Sequence, residues 1–138
     1  MLRRIPLVLV GVLALAGCGN SHAGDEKKIR HTVEAFLGAY AAGDAQKACS
    51  LLNAQGWDRL FGASTRSGCE ATARRQSQRA GAKGRRQLRS AFVTRVEFKG
   101  DTFARAFVKF PTFDAPAQPL RVVKRGERWL IAGPPRGG

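Results

Sequence analysis

The side chains that could carry acid–base chemistry are few, namely one tyrosine, two histidines and ten carboxylates in 138 residues. Tyr40 falls on the apolar stripe of the first predicted helix, where core packing is its usual role, while His31 lies off that stripe and His22 precedes the helix. Asp44 and Asp101 occupy positions typical of a helix cap and a turn. The sequence offers no base with an orienting partner of the kind that catalysis needs. It therefore predicts a non-enzymatic protein without a cofactor.

The three cysteines suggest a compartment and not a reaction. Cys49 and Cys69 lie 20 positions apart, with no C-x-x-C pattern and no nearby histidine, which disfavours a metal or redox site. An odd cysteine count is unusual in an exported protein. If Cys18 is used for another purpose, the other two form an even pair, which outside the cytoplasm usually oxidises. We therefore expect a Cys49–Cys69 disulfide, worth about 3 kcal/mol in the chain-entropy model; a reactive thiol is the alternative.

The N-terminus has the parts of a signal peptide. Two arginines precede the apolar run from Ile5 to Ala16, which is shorter than the about 20 residues of a membrane span. Leu15-Ala16-Gly17-Cys18 resembles a bacterial lipobox, after which a signal peptidase cuts so that the cysteine becomes N-terminal and carries lipid. The alternatives are an uncleaved membrane helix and a plain secretory signal with an incidental cysteine.

The chain is predicted to have four parts. Residues 1–17 are predicted to be the signal peptide, 18–24 a lipidated tether of small polar residues, 25–133 one folded domain and 134–138 a loose tail. Multiple acyl chains, such as palmitate, would anchor the protein stably because each buried CH₂ contributes about 0.8 kcal/mol. The predicted location is the extracytoplasmic face of the cell membrane.

The chain is strongly basic, with a net charge of +14 that falls to +12 without Arg3 and Arg4. Seven of the cations crowd into one acid-free stretch: Arg74, Arg75, Arg79, Lys83, Arg85, Arg86 and Arg89. This basic stretch is either a patch for anionic lipid or cell-wall polymer, or a solvated face that maintains solubility. Nucleic acid is disfavoured because no aromatic side chain lies among the charges for base stacking.

Helical periodicity dominates the first half of the domain. Ile29, Val33, Phe36, Leu37 and Tyr40 share one face of a helix over 25–42. A second helix over 45–52 and a short helical turn near Trp57 are expected next. Ser67 and Glu70 match a capping box for a third helix over 68–79, and Gly81 and Gly84 predict a flexible loop after it.

A period of two follows, which predicts four antiparallel strands. The first spans 88–99, with Leu88, Phe92, Val96 and Phe98 on one face. The second spans 102–110, and a proline-rich loop separates it from a closing hairpin over 120–132. The expected fold class is α+β, with N-terminal helices packed on a curved antiparallel sheet of about four strands.

This order resembles the NTF2-like superfamily (cystatin-like, SnoaL-related), and in particular small actinobacterial lipoproteins of that shape. The similarity rests on the first-helix pattern, the Ala-Gly-Asp turn at 42–44, the segment Ala48 to Leu52, and the hairpin 122–131 with its single tryptophan. The resemblance implies a cone whose helices and sheet enclose a pocket. Members use that pocket for small-molecule binding, for isomerase or dehydratase chemistry, or not at all.

Two non-catalytic roles follow as expectations. The first is a ligand-binding module. Its candidate pocket residues, most of which could equally be plain core, are Tyr40, Trp57, Phe61, Phe92, Phe107 and Trp129. The second is an envelope interaction module that uses the basic stretch. An isomerase or dehydratase is the alternative, which the fold alone cannot support.

Overall fold

The computed structural model describes residues 22–136, so the predicted signal peptide, Cys18 and the last two residues lie outside the described residues. Helices come first and strands follow. In chain order the elements are α1 (Ala23–Ala41), α2 (Ala45–Ser50), α3 (Ala54–Phe61), α4 (Arg66–Ser90), β1 (Phe92–Phe98), β2 (Phe103–Lys109), β3 (Gln118–Arg125) and β4 (Arg128–Gly133). Within residues 22–136, no helix is both long and apolar enough to cross a bilayer.

The strands form one antiparallel sheet in the order β1-β2-β3-β4, which confirms the predicted α+β class and the four-stranded meander. Side chains alternate strictly along β2, because successive residues of a strand point to opposite faces. Ala104, Ala106 and Val108 are buried in the core, whereas Arg105 and Phe107 lie on the other face. The helices thus cover one face of the sheet, and the opposite face, here called the outer face, remains partly exposed.

Helix α1 supplies the centre of the core. Ile29, Val33, Phe36 and Leu37 are buried, as the predicted stripe requires. The helix begins two residues earlier than predicted, and the His22 ring stacks on Phe98 of β1 with ring centroids 4.1 Å apart. The described fold therefore includes residues 22–24, the last three residues of the predicted tether.

The basic stretch is helical, so the prediction of a flexible loop at Gly81 and Gly84 is wrong. Helix α4 continues to Ser90 and departs from helical geometry only at Gly81, which has φ +69°. The segment after it is rich in Arg, Lys, Gln, Ala and Leu, which are good helix formers, while one glycine costs only about 1 kcal/mol. Arg85 donates to the carbonyl of Ser77 at 3.3 Å and so binds the last turn before the kink.

The predicted capping box is also wrong. Thr65 is the N-cap of α4, and its Oγ1 accepts a hydrogen bond from the Gly68 backbone N–H at 3.1 Å. Glu70 instead pairs with Arg66 one turn earlier, with 3.2 Å between Nε and Oε1. Thr65 and Ser67 both qualify as caps by residue type, and the structure uses the earlier one.

Strand β1 starts later than predicted and contains a bulge. Leu88 belongs to α4, and the register shifts between Val93 and Arg95. An extra residue reverses the alternation, because two residues then oppose one on the partner strand. Val93 is therefore buried while Phe92 is 43% exposed, so Phe92 does not share a buried face with Phe98 as predicted.

Helix α3 lies against the edge strand β4. The backbone N–H of Asn53 donates to Ile131 O at 3.1 Å, and the backbone N–H of Ile131 donates to Leu51 O at 2.9 Å. Gly56 makes this approach possible, because a Cβ there would collide with the Ile131 carbonyl oxygen. After β4, the carbonyl of Pro134 accepts a hydrogen bond from Arg59 at 2.9 Å, so the start of the predicted loose tail is bound to α3.

Candidate functional site

An apolar cavity of about 240 Å³ lies between the helices and the covered face of the sheet. Helices α1, α3 and α4 contribute to it from one side, and β2, β3 and the chain around them from the other. Its lining residues are Phe36, Leu37, Tyr40, Leu60, Phe61, Gln76, Leu88, Val108, Phe110, Gln118 and Leu120. The volume is slightly below the about 300–1,000 Å³ of typical drug-sized sites, so it suits a small guest.

The polar groups of the cavity are all neutral. Tyr40 Oη donates to Gln76 Oε1 at 3.2 Å, and burial raises the pKa of the Tyr40 hydroxyl. The Tyr40 ring is held by Phe61 and Phe36, with ring centroids 5.6 and 6.1 Å away. Gln118 contributes a second amide. The lining thus combines apolar walls with a hydroxyl and two amides that can orient a ligand.

Two of the six predicted pocket residues, Tyr40 and Phe61, line this cavity. Phe92 and Phe107 do not: the bulge exposes Phe92, and Phe107 is on the outer face, where the Arg95 guanidinium lies 3.8 Å from its ring centroid. The physical reason is the same for both, because strand register and not residue type decides which face a side chain takes.

The two tryptophans, also predicted for the pocket, hold elements together. Trp57 Nε1 donates to the Cys49 carbonyl at 3.0 Å and so binds α3 to α2. Trp129 is buried, and its indole Nε1 donates to Asp25 Oδ1 at 3.0 Å. Neither lines the apolar cavity, although Trp129 borders a separate, shallow surface groove of about 570 Å³ beside the start of α1.

Most of the residues that line the cavity were not among the predicted pocket residues. Leu60 belongs to a helical apolar pattern, and Leu88, Val108 and Leu120 belong to predicted strands, but core positions show the same patterns. Gln76 and Gln118 give no signal, because only the fold brings them to the cavity. An apolar pattern tells which residues are inside and not which of them border a void.

The disulfide joins Cys49 of α2 to Cys69 of α4, and both residues are fully buried. This bond confirms the predicted clamp between the helix of Cys49 and the helix of Cys69, although α3 lies between them in the chain. Because the carbonyl of Cys49 also accepts from Trp57, the same residue connects α2 to both α3 and α4.

The basic stretch lies along α4, and most of its side chains are exposed. Arg74, Arg85 and Arg89 line a shallow groove of about 340 Å³ together with Gly43 and Ser77. None of the ion pairs found within residues 22–136 includes a cation of this stretch. Arg85 donates to Ser77 O and Arg75 donates to Thr72 Oγ1 at 3.1 Å, while the other charges of the stretch are available to an external partner or to solvent.

The part of the chain that the structure describes contains no cluster of three His, Cys, Asp or Glu side chains able to hold a metal ion. No protein-family model matches the sequence, and the search of curated proteins found no match. The assignment of a role therefore depends on the geometry of this chain alone.

Proposed function

We propose that this protein is a lipid-anchored extracytoplasmic binding module that holds a small, mainly apolar ligand in the cavity beside Tyr40. The observation that carries the proposal is the combination of a 240 Å³ apolar space with a hydrogen-bonded Tyr40–Gln76 pair on its solvent-exposed side. Apolar walls supply binding free energy, and a few polar groups fix orientation.

The neutral lining favours binding over catalysis. General acid–base chemistry requires a side chain that exchanges a proton near neutral pH within reach of the ligand. Over the described residues, the cavity wall contains no carboxylate, histidine or cysteine. An isomerase or dehydratase role would leave Tyr40 as the sole titratable group, and its pKa is displaced upward, away from neutrality.

The architecture supports the NTF2-like resemblance as part of the same proposal. Helices cover one face of a four-stranded antiparallel sheet, and the cavity lies between the two layers. The short parallel bridge between Leu52 and Ile131 adds the segment after α2 to the sheet edge. A pocket between helices and sheet is what that superfamily would provide.

The proposed anchor would also orient the domain. Four peptide units separate Cys18 from His22, a span of at most about 14 Å. The N-terminal end of α1 would then lie near the bilayer. The shallow groove at this end is bordered by Lys27, Lys28 and Arg128 and by one carboxylate, Glu127, which lies 3.9 Å from Lys28. The net charge of the groove is positive, which suits anionic headgroups.

A titration with p-cresol, an aromatic ring bearing one hydroxyl, tests the cavity. The full chain in neutral detergent should show saturable chemical-shift changes in its methyl spectrum. Leu88→Trp should fill the cavity and weaken binding at least tenfold, whereas the matched Phe92→Trp, at an exposed site, should leave it unchanged. Equal affinity in both variants, or no saturable binding, would exclude the cavity as the site.

A second function is contact with an anionic surface through α4, favoured by the unpaired exposed cations of the basic stretch. Arg79→Gln with Arg86→Gln is the suitable test, since Arg85 has a structural bond to Ser77. Binding to anionic wall polymer should fall with salt and with this double variant. Lys99→Gln with Arg125→Gln, two exposed cations on the sheet, is the charge-matched control. An equal loss in both double variants would mean that only net charge matters.

A further inference from the structure

Four arginines from four different parts of the chain converge at one corner of the outer face, away from both the cavity and the basic stretch. They are Arg59 of α3, Arg105 of β2, Arg121 of β3 and Arg136 of the segment after β4. Together with Gln55 and Pro135 they line an open recess of about 360 Å³. We call these four residues the arginine corner.

Strand register places two of the charges side by side. Arg105 and Arg121 are direct partners in the β2–β3 ladder and share the outer face. Like charges at directly opposed positions destabilise a sheet, so this arrangement works against folding stability. An anion held between the two guanidinium groups would remove that repulsion.

The chain holds Arg59 in place by two features. Its Nη1 donates to the Pro134 carbonyl at 2.9 Å, and its Cβ lies where a side chain on Gly133 would be, 2.9 Å from an ideal Cβ. Gly133 has φ +96°, a conformation that glycine adopts without strain. The last strand therefore ends in a way that brings Arg59 against the tail that carries Arg136.

Within the described residues, no carboxylate lies at ion-pair distance from the arginine corner. Among residues 22–136, no ion pair includes any of its four arginines, and the buried Nε of Arg105 has no hydrogen-bond partner. Glu97 is opposite Arg105 in the ladder but pairs with Arg95, at 3.4 Å. Asp58 borders the adjoining recess beside Arg59.

The electrostatic consequence is visible at Arg121. Burial lowers its pKa, and the positive charges of Arg59, Arg136 and Arg105 lower it further. Such a field is unfavourable in the empty protein and favourable once a polyvalent anion enters.

We propose that the arginine corner binds a phosphate group, as a phosphate ester or an anionic lipid headgroup. A guanidinium presents paired N–H donors that match two oxygens of a phosphate. The phosphate has enough acceptor oxygens to bind several guanidinium groups in this way. A single carboxylate has two oxygens and one charge, so it would leave most of the corner unpaired. The proposal does not depend on the cavity ligand.

The test uses the full chain in neutral detergent, titrated with inorganic phosphate by calorimetry. Arg105→Gln with Arg121→Gln should weaken binding about tenfold or more, because charge-assisted bonds to the anion are lost. Lys99→Gln with Arg125→Gln removes the same charge from two exposed positions outside both proposed binding surfaces and should change affinity less than about twofold. The corner variant should also unfold at a higher temperature in phosphate-free, low-salt buffer, since the cross-strand repulsion is relieved.

Vesicles distinguish the two sources of phosphate. A preference for phosphatidylglycerol over phosphatidylcholine vesicles that inorganic phosphate abolishes and that Arg105→Gln with Arg121→Gln removes identifies a lipid headgroup, because the proposed acyl anchor would enter both kinds of vesicle alike. Binding of inorganic phosphate without any vesicle binding dependent on the corner identifies a soluble ester. No binding of inorganic phosphate, or an equal loss in the two double variants, would overturn the proposal.

Discussion

Asp25 in the first turn of α1 accepts a hydrogen bond from the indole Nε1 of Trp129 in β4 at 3.0 Å. Lys124 Nζ lies 3.4 Å from the same carboxylate oxygen. The Trp129 hydrogen bond lowers the pKa of Asp25 below its usual value, and Lys124 lowers it further against the opposing effect of desolvation. The start of the domain is therefore fastened to its closing hairpin, 104 positions along the chain.

This contact predicts a specific pH dependence. A carboxyl whose folded pKa lies below its unfolded pKa contributes stability that is fully present above about pH 4 and is lost as the pH falls through the folded pKa. Asp25→Asn should therefore lower the melting temperature by a few degrees at pH 7, and the difference from the native chain should shrink below about pH 4. Asp101→Asn, in an exposed turn, serves as the control. A difference that stays constant down to pH 2 would contradict this role.

The Cys49–Cys69 bond should contribute strongly to stability. A cross-link between positions 20 apart limits the unfolded chain, worth about 3 kcal/mol in the chain-entropy model. Replacing both cysteines with alanine should lower the free energy of unfolding by at least about this amount in urea. Reduction of the native protein should produce a similar change. A loss below about 1 kcal/mol in both measurements would mean that the helices are held without the clamp.

Two helical glycines should respond in opposite directions to alanine. A Cβ at Gly56 meets the Ile131 backbone, so Gly56→Ala should lower the free energy of unfolding by about 1–3 kcal/mol. A Cβ at Gly38 of α1 meets nothing within 4 Å, so Gly38→Ala should raise stability by up to about 1 kcal/mol. Urea unfolding of the two variants measures both. Equal effects would indicate that α3 does not rest on β4 as closely as described.

The sequence predicted the order of elements because apolar periodicity is local information. The α1 stripe, the meander and the disulfide follow from spacing and composition. The bulge at Val93 and the continuation of α4 through Gly81 do not, because packing decides them. Residue type predicts Phe92 and Phe107 for the pocket, whereas the strand register directs both side chains away from the cavity.

The sequence does not predict the long-range polar contacts either. From the sequence, Asp25 is a carboxylate in the first turn of a helix, where it interacts favourably with the helix dipole. Only the fold places Trp129 and Lys124 beside it. Arg105 and Arg121 are 16 positions apart and become neighbours only through the β2–β3 register. The basic stretch of α4 is recognisable in the sequence because its cations are close together. The four residues of the arginine corner are far apart in the sequence and meet only in the folded chain.

The proposed anchor has a direct test outside the described residues. Mass spectrometry of the native protein should find Cys18 as the N-terminal residue with acyl mass attached. Cys18→Ser should abolish the acyl mass and move the protein out of the washed membrane fraction, while Ser21→Ala, in the predicted tether, should change neither. An intact Met1, or a mature start elsewhere without acyl mass, would refute the lipid anchor.

The proposed binding function depends on the cavity, and intermolecular nuclear Overhauser effects test it most directly. With p-cresol bound to the full chain, we expect contacts from the ligand ring to the methyl groups of Leu88, Val108 and Leu120. We also expect a shift of the Gln76 side-chain amide, the partner of Tyr40. Ligand contacts confined to other surfaces, or none to these three methyl-bearing residues at saturation, would contradict the proposed binding function.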